Sequence, residues 1–387
     1  MNIENGRNLW LDIIRGMSAL AVCLGHLRNV LLVDYGASVE PGILLKALYA
    51  VTSFGHQAVM VFFVLSGYFV GGGVLRAGVK FMWRDYLSSR LMRLWVVLIP
   101  CLVLTWCIDQ IVNSYAPLAL SGSNFNIWHS GPKPGEYSAS VPTFFGNVFF
   151  LQTILSPVFG SNGPLWSLAN EFWYYMLFPL IVFTLGIAGA GKPLFRSLTF
   201  VLTALLLWWL PYNILDGFVI WMMGVVIYVV QPWFRSLKPA LRTFLIGLGL
   251  LFFALALGYS KSSQLIERFA INPDLLIGLA FSILCLAMTS RPFPEKRFPV
   301  VAFLSRSLSE MSYSLYISHF PLVILISSIA YGSAKLMPTG LVLAQFMGWC
   351  FVLIGFGFLI YWSFESRTNR IRKIVRNWTE PSRRSPT

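Results

Sequence analysis

Ionisable side chains stand inside an apolar run long enough to cross a bilayer. Residues 10–33 are almost wholly apolar, yet they include Asp12, Arg15 and His26. An ionisable group within a spanning helix costs about 2.5–3.5 kcal/mol on insertion scales, so such groups usually face a bundle interior and mark a functional path. Ten residues separate Arg15 from His26. Eleven steps of about 100° return to within roughly 20° of the start, which puts both side chains on one helix face about 16 Å apart along the axis. That face presents a cation toward one side of the membrane and an imidazole toward the other.

A later apolar stretch carries an acid. Glu171 follows Gly163-Pro164-Leu165-Trp166-Ser167-Leu168. His26 and Glu171 each fall about seven residues from the expected outer end of a helix, roughly 10 Å deep. A bundle can bring two groups of equal depth together. An imidazole held by a carboxylate is a general-base arrangement, in which the acid fixes the tautomer and stabilises the imidazolium. The plainer reading is two separate polar residues that satisfy helix packing. The cost of burying such groups favours the functional pair.

Arg90 and Arg93 stand where the third apolar stretch begins, three residues apart and therefore on one helix face. With Arg15 they suit phosphate, whose oxygens match the guanidinium fork. Spacing alone favours ordinary anchors in a basic inner loop. His319 lies near the middle of the ninth stretch, where Pro321 frees backbone groups. It lines a cavity or packs as a hydrogen-bonded histidine, and the residues do not choose. Asp12, Ser66, Trp166, Tyr313 and His319 are the candidate cavity-lining set. Ser66-Gly67 permits close helix approach, and no local base is evident to make Ser66 a nucleophile. His56 and His129 read as solvated loop histidines. No metal-ligand spacing appears, so no metal is expected.

Helices must hold these residues. The chain has 387 residues, 57% of them hydrophobic and 11% charged, with mean hydropathy +0.69. This is the composition of a polytopic membrane protein, not of a soluble globule. The 14 Trp and 32 Phe suit lipid-embedded helices with interfacial anchors. The net charge of +14 follows from basic segments between apolar ones, so membrane topology explains it and no nucleic-acid partner is expected. Cys23, Cys101, Cys107, Cys285 and Cys350 all lie in apolar stretches and read as small buried hydrophobes. The first helix reads as retained, because no strongly basic segment precedes it.

The pattern predicts an all-α bundle of about ten transmembrane helices, near 9–33, 52–73, 92–112, 164–187, 197–212, 214–231, 241–260, 273–290, 309–331 and 340–362. Gly71-Gly72-Gly73 reads as the breaker that ends the second. The short 211–216 link makes a tight hairpin of the fifth and sixth. With the N-terminus inside, inner segments hold 22 Lys and Arg and outer segments six, so both termini are expected in the cytoplasm. The longest outer connection is 113–163, and its apolar part, 143–155, reads as an interfacial or re-entrant helix over an outer cavity. One membrane domain, 1–365, is followed by a basic cytoplasmic tail, 366–387, expected to be disordered. No internal repeat or soluble domain is visible.

Five pieces, in order, resemble the acyltransferase 3 family of membrane acyltransferases. They are Leu11-Asp12-Ile13-Ile14-Arg15-Gly16 with His26; Phe62-Phe63-Val64-Leu65-Ser66-Gly67-Tyr68; Arg90-Leu91-Met92-Arg93; Gly163-Pro164-Leu165-Trp166-Ser167-Leu168 with Glu171; and Ser312-Tyr313-Ser314-Leu315-Tyr316 with His319 and Pro321. Each is weak alone; together they span nearly the whole chain. The resemblance implies a ten-helix bundle that takes an acyl group, usually acetyl, from cytoplasmic acyl-CoA. It delivers that group to a hydroxyl at the outer face, commonly of a surface polysaccharide or its lipid-linked precursor. The family's Arg-x10-His motif falls on Arg15 and His26. Its RxxR motif falls on Arg90 and Arg93, thought to meet the CoA phosphates, and its acidic residue falls on Glu171. Ala58 stands where the family usually has Gly. Many members carry an extra esterase-like domain, so a transfer step here is expected to use the bundle or a separate partner.

The resulting expectation is a membrane-embedded O-acyltransferase (an O-acetyltransferase by family habit) of the bacterial inner membrane and cell envelope. His26 acts as general base, Glu171 orients it, and Arg15, Arg90 and Arg93 hold the acyl-CoA donor. A carbohydrate or lipid-linked glycan is the acceptor, and membrane lipid surrounds the protein. A proton-coupled transporter fits the buried charges equally well on physics, although no inverted repeat supports it. A non-catalytic scaffold in polysaccharide assembly is the third reading. Acceptor identity, acyl chain, direct or covalent transfer, and oligomeric state are not legible.

Overall fold

Helix after helix follows where the apolar runs stand. The structure is a computed structural model, and it describes residues 8–37, 42–187, 193–290 and 293–379. Among these residues there are three isolated β-bridges and no strand. The α-helices are, in chain order, α1 Leu9–Leu31, α2 Ile43–Thr52, α3 Gly55–Ser66, α4 Gly72–Ala77, α5 Trp83–Tyr115, α6 Phe125–Trp128, α7 Val141–Val148, α8 Trp166–Thr184, α9 Pro193–Trp209, α10 Tyr212–Ser236, α11 Pro239–Tyr259, α12 Ser263–Phe269, α13 Pro273–Thr289, α14 Pro299–Tyr331, α15 Gly340–Ser363 and α16 Thr368–Thr379. Polar caps set several starts. The Asn272 side chain accepts from the backbone N–H groups of Asp274 and Leu275 ahead of α13, with Pro273 in the first turn.

Seven helical segments are long and apolar enough to cross a membrane: Leu9–Leu31, Gly55–Lys80, Trp83–Tyr115, Tyr212–Ser236, Pro239–Tyr259, Pro299–Tyr331 and Gly340–Arg376. The protein is an all-α, multi-pass integral membrane protein. Each of the ten expected spans has a helix, but the count that meets length and apolarity is seven among the described residues, or eight with one bent pair. Helices α9 and α13 have only 17 residues each, and α12 and α13 meet at 94°. Helix α8 is long enough at 19 residues, but Asn170, Glu171 and its Trp and Tyr residues dilute its apolar character. Periodicity reveals that a helix exists, not that it reaches across a bilayer.

Three other expectations need correction. The glycine triplet does not end the second span. A π-helical turn, Gly67–Gly71, leads straight into α4. The tail is not disordered from 366, because a 3-10 turn at Glu365–Arg367 runs into α16. Its remainder from 380, together with Arg7, Lys192 and Arg291, lies outside the described residues. Cys107 is exposed, unlike the other four cysteines, because its position on α5 faces outward. The apolar part of the long connection is helical only in its first half, α7, capped by the Ser140 side chain, which accepts from the Thr143 N–H; 149–155 continues as turns and not as helix.

The chain divides into two compact units. The first comprises Met1–Gly25, Pro41–Lys80 and Ser167–Ser312; the second comprises His26–Glu40, Phe81–Trp166 and Tyr313–Thr387. In the first, α10 packs on α3, the π turn and α13, and α13 packs on α11. Two glycines make the α3–α10 approach possible. A Cβ on Gly67 would run into the Trp221 carbonyl, and one on Gly224 into the Val64 carbonyl. Gly71 and Gly72 extend the contact to Val225 and the Tyr228 ring. Close backbone approach of this kind is how helices gain packing energy where lipid supplies no hydrophobic drive. A polar thread runs beside it: the Tyr68 hydroxyl donates to Gln231 Oε1 at 3.0 Å, and Gln231 Nε2 donates to Thr289 Oγ1 at 2.9 Å.

In the second unit, α5 packs against α7 and α16. The end of α1 is pinned by a bridge in which the Val33 N–H donates to the Leu336 carbonyl and the Leu336 N–H to the Leu31 carbonyl. Lys335 closes it with a 2.9 Å ion pair to Asp34. Gly224→Ala is expected to lower stability by about 1–3 kcal/mol, the usual range for overpacking. A melting curve in detergent reads this directly, and an unchanged midpoint would show that the α3–α10 contact yields freely.

Candidate active site

Two imidazoles meet in the second unit. His26 comes from the last third of α1 and His319 from the middle of α14. His26 Nδ1 and His319 Nε2 are 2.8 Å apart, and the rings lie nearly parallel. His319 is fully buried. Its Nδ1 sits 3.0 Å from the Leu315 carbonyl and 2.7 Å from that of Tyr316. A carbonyl oxygen only accepts, so the proton of His319 is on Nδ1. In a neutral His319, Nε2 is then an acceptor, and His26 must donate to it from Nδ1. That leaves the lone pair of a neutral His26 on Nε2. The chain of bonds fixes the tautomer a general base needs. The Phe320 ring stands edge-on to His26, with centroids 4.9 Å apart.

The 113–163 connection reaches the Phe320 ring beside this pair. Gly131 lies against the Phe320 ring, and Gly163 lies beside both. The connection is held from within. Asp109, fully buried on α5, accepts from the Ser161 N–H at 2.8 Å and the Ser161 hydroxyl at 2.6 Å. The Tyr137 hydroxyl also bonds Asp109; burial and that neighbouring carboxylate push it up, so it stays protonated as a donor. Asn162 Nδ2 donates to the Ile317 carbonyl at 2.8 Å, and the Tyr316 hydroxyl to the Pro164 carbonyl at 3.1 Å. The segment that leads into α8 is thus tied to the turn of α14 that carries His319.

The donor-binding candidates of this unit sit on α5. Arg90 is part-buried and stacks over the Tyr86 ring at 5.7 Å, while Arg93 is exposed. The Tyr313 hydroxyl donates to the Leu94 carbonyl at 3.1 Å, joining α14 to the residue after Arg93. Trp166 is part-buried where α8 starts.

The first unit holds the other candidates. The Ser66 hydroxyl donates to Glu171 Oε1 at 2.8 Å. The Tyr175 hydroxyl bonds the same oxygen, and Trp221 Nε1 donates to Ser66 Oγ at 3.1 Å. A local base for Ser66 therefore exists, which corrects the expectation from sequence. Arg15 stacks over the Phe69 ring at 5.4 Å. Asp12 is buried and accepts from the Ser309 hydroxyl at 2.8 Å, which makes it part of the α1–α14 packing. The hydrogen-bond partner shown for the His26 ring is His319, and those shown for Glu171 are Ser66 and Tyr175, each set within one unit. Among the described residues, no group of three or more His, Cys, Asp or Glu is placed to hold a metal ion.

With this geometry in hand, comparison with protein families is decisive. The acyltransferase-domain model of the acyltransferase 3 family matches residues 8–366, nearly the whole chain. The chain belongs to the acyltransferase 3 family. No curated protein and no solved structure gave a match. In this acyltransferase 3 protein all five motif segments thus fall within the matched span.

Two groups in the acyltransferase were passed over in the sequence. Tyr175 stands four residues after Glu171, a spacing that places two helical side chains together. Asp109 is an ionisable residue inside an apolar stretch, the same signal that marked Asp12 and Glu171. Asp109→Ala is expected to cost about 1–3 kcal/mol, because it strands two buried Ser161 donors. Limited proteolysis of the 131–163 segment should then accelerate; cleavage at the parent rate would show the carboxylate to be dispensable for holding it.

Proposed function

We propose that this acyltransferase 3 protein is a membrane O-acyltransferase that moves an acyl group, most simply acetyl, from cytoplasmic acyl-CoA to a hydroxyl of a cell-surface carbohydrate or lipid-linked glycan. The proposal places both termini in the cytoplasm of a bacterial inner membrane, from the bias of Lys and Arg between the apolar runs. Arg15, Arg90 and Arg93 hold the donor's phosphates, and His26 is the general base.

The observation that carries the reading is the hydrogen bond between His26 Nδ1 and His319 Nε2. It supports a base whose unprotonated Nε2 is fixed in advance. The acceptor hydroxyl gives its proton to His26 Nε2 as its oxygen bonds the acyl carbon. The carbon–sulfur bond breaks, and the leaving thiolate takes the proton back from the imidazolium. General-base assistance of this kind is worth about 10²–10⁴-fold. In this reading the orienting role passes to His319. Glu171 stays in the catalytic set as the acidic member, bound to Ser66 and Tyr175.

Purified protein is supplied with labelled acetyl-CoA and a surface glycan. His26→Ala should lose at least about 10²-fold in transfer. His319→Gln, whose amide oxygen can accept from His26, should keep more activity than His319→Phe, with the difference in kcat rather than KM. Activity should fall at acid pH, where the base is protonated. Glu171→Gln should also abolish transfer. Full activity in His26→Ala removes the mechanism, and solute flux without label transfer replaces the enzyme by a carrier.

A second reading has one observation in its favour, the 2.8 Å bond from Ser66 to Glu171. Ser66 Oγ attacks the thioester carbon, its proton passes to Glu171, and the thiolate leaves with an acyl-serine behind. The acceptor hydroxyl then displaces the serine oxygen. Incubation with labelled donor and no acceptor distinguishes the two. Direct transfer leaves the protein unlabelled, whereas label on the Ser66 peptide, absent in Ser66→Ala, establishes the covalent route.

A further inference from the structure

Pro321 stands inside α14, which runs unbroken from Pro299 to Tyr331. A proline has no N–H, and its ring crowds the carbonyl four residues back. In α14 that carbonyl belongs to Ile317, two residues before His319. It is denied its ordinary helical donor in a stretch where Ile317, His319 and Phe320 are all fully buried. A buried carbonyl without a donor costs stability, and in a membrane-spanning helix a neighbouring segment has to supply one.

The donor comes from the 113–163 connection. Asn162 Nδ2 lies 2.8 Å from the Ile317 carbonyl oxygen. A carbonyl only accepts, so the amide nitrogen is the atom that faces it. Asn162 is itself fully buried. Its other contact, from Nδ2 to Thr105 Oγ1, is longer at 3.3 Å, and among the described residues its Oδ1 has no hydrogen-bond partner. Donation to Ile317 is therefore the best-formed bond of this side chain. Close by, a bond runs the other way, from the Tyr316 hydroxyl to the Pro164 carbonyl at 3.1 Å. Three successive carbonyls of α14 thus have side-chain donors. Those of Leu315 and Tyr316 accept from His319 Nδ1, and that of Ile317 accepts from Asn162.

Resting on His26 as the general base, we infer that Asn162 is a positioning residue for the transfer. Its amide replaces the N–H that Pro321 lacks, and so holds the turn of α14 from which His319 directs the tautomer of His26. Pro321 opens the Ile317 carbonyl to a donor from another segment, whereas an ordinary residue at 321 closes it with its own N–H. The 113–163 connection is by this device a part of the base assembly.

The two residues are linked by one missing donor, so the test is a suppression experiment on the full chain. Asn162→Leu removes the donor. Adding Pro321→Ala returns a backbone N–H to the Ile317 carbonyl. With histidine labelled by ¹⁵N, the parent in nanodiscs should show hydrogen-bonded, slowly exchanging Nδ1–H signals from His26 and His319. Asn162→Leu should speed their exchange about tenfold, the scale of one unmet buried acceptor, and the double variant should restore it. In the labelled-acetyl assay described above, kcat should fall about tenfold in Asn162→Leu with KM little changed, and recover in the double variant. Asn162→Ala, which removes the same donor with less bulk, repeats the comparison should the leucine variant not fold. Parent exchange and parent kcat in Asn162→Leu overturn the inference. So does a loss that Pro321→Ala fails to suppress, because Asn162 then acts through another contact, and so does a change confined to KM. If the signals behave as expected but His26→Ala is as active as the parent, the base mechanism of the preceding section fails and takes the positioning role with it, while the Asn162–Ile317 bond stands.

Discussion

The proton on His319 Nδ1 has only carbonyl oxygens to meet, and much of the chemistry follows from that. Leu315 and Tyr316 are the residues four and three back on the same helix, so the helix itself supplies the acceptors. A membrane-embedded helix has no water to offer instead. With Nδ1 committed, His319 presents Nε2 to His26, and the lone pair on His26 is directed to its far nitrogen. In soluble enzymes a carboxylate does this work. In the proposed mechanism a neutral imidazole does it without burying another charge, which is the cheaper arrangement in a low-dielectric interior.

The same economy explains the glycines around Ser66. A polar side chain in a spanning helix needs partners on neighbouring helices, and those helices must come close. Gly67 and Gly224 let α3 and α10 touch along their backbones, which brings Trp221 Nε1 within 3.1 Å of Ser66 Oγ. The π turn just after Ser66 adds a residue to the helical path; such bulges recur at functional sites. In the triplet that looked like a breaker, Gly71 and Gly72 are likewise packing positions, against Val225 and the Tyr228 ring. Helices in lipid tolerate Gly because neighbours re-satisfy and cover the backbone.

What the sequence disclosed was whatever lies within one helix. The Arg15–His26 spacing, the depth of Glu171 and the Arg90–Arg93 face all follow from a 3.6-residue period and the cost of charge in lipid. Family resemblance carried the order of the motifs. Partners across helices stayed hidden. His26 and His319 are 293 residues apart, and Ser66 and Glu171 are 105; nothing in a single chain links such positions. The number of spans was less legible for a different reason: periodicity sees α9 and α13 clearly, but their 17 residues stand at the short end of what crosses a bilayer.

Proton stoichiometry bears on how dry the site can be. In the direct transfer proposed above, the proton that leaves the acceptor hydroxyl ends on the coenzyme A thiol, and His26 only carries it between them. No net proton enters or leaves the protein, so the reaction needs no water file and no second titrating relay. A single imidazole with a fixed tautomer is enough for the proposed transfer, and a second imidazole whose Nδ1 is held by backbone carbonyls is a suitable holder for it. The acyl-serine route obeys the same balance through Glu171 in its first half, but the acceptor's proton must then return to Ser66 or to the carboxylate. That requires the carboxyl group to keep the first proton until the thiolate claims it. Ser66 and Tyr175 bond the same oxygen of Glu171, so the acyl-serine route asks one oxygen to hold two partners and a stored proton, whereas the imidazole route asks for a single carrier.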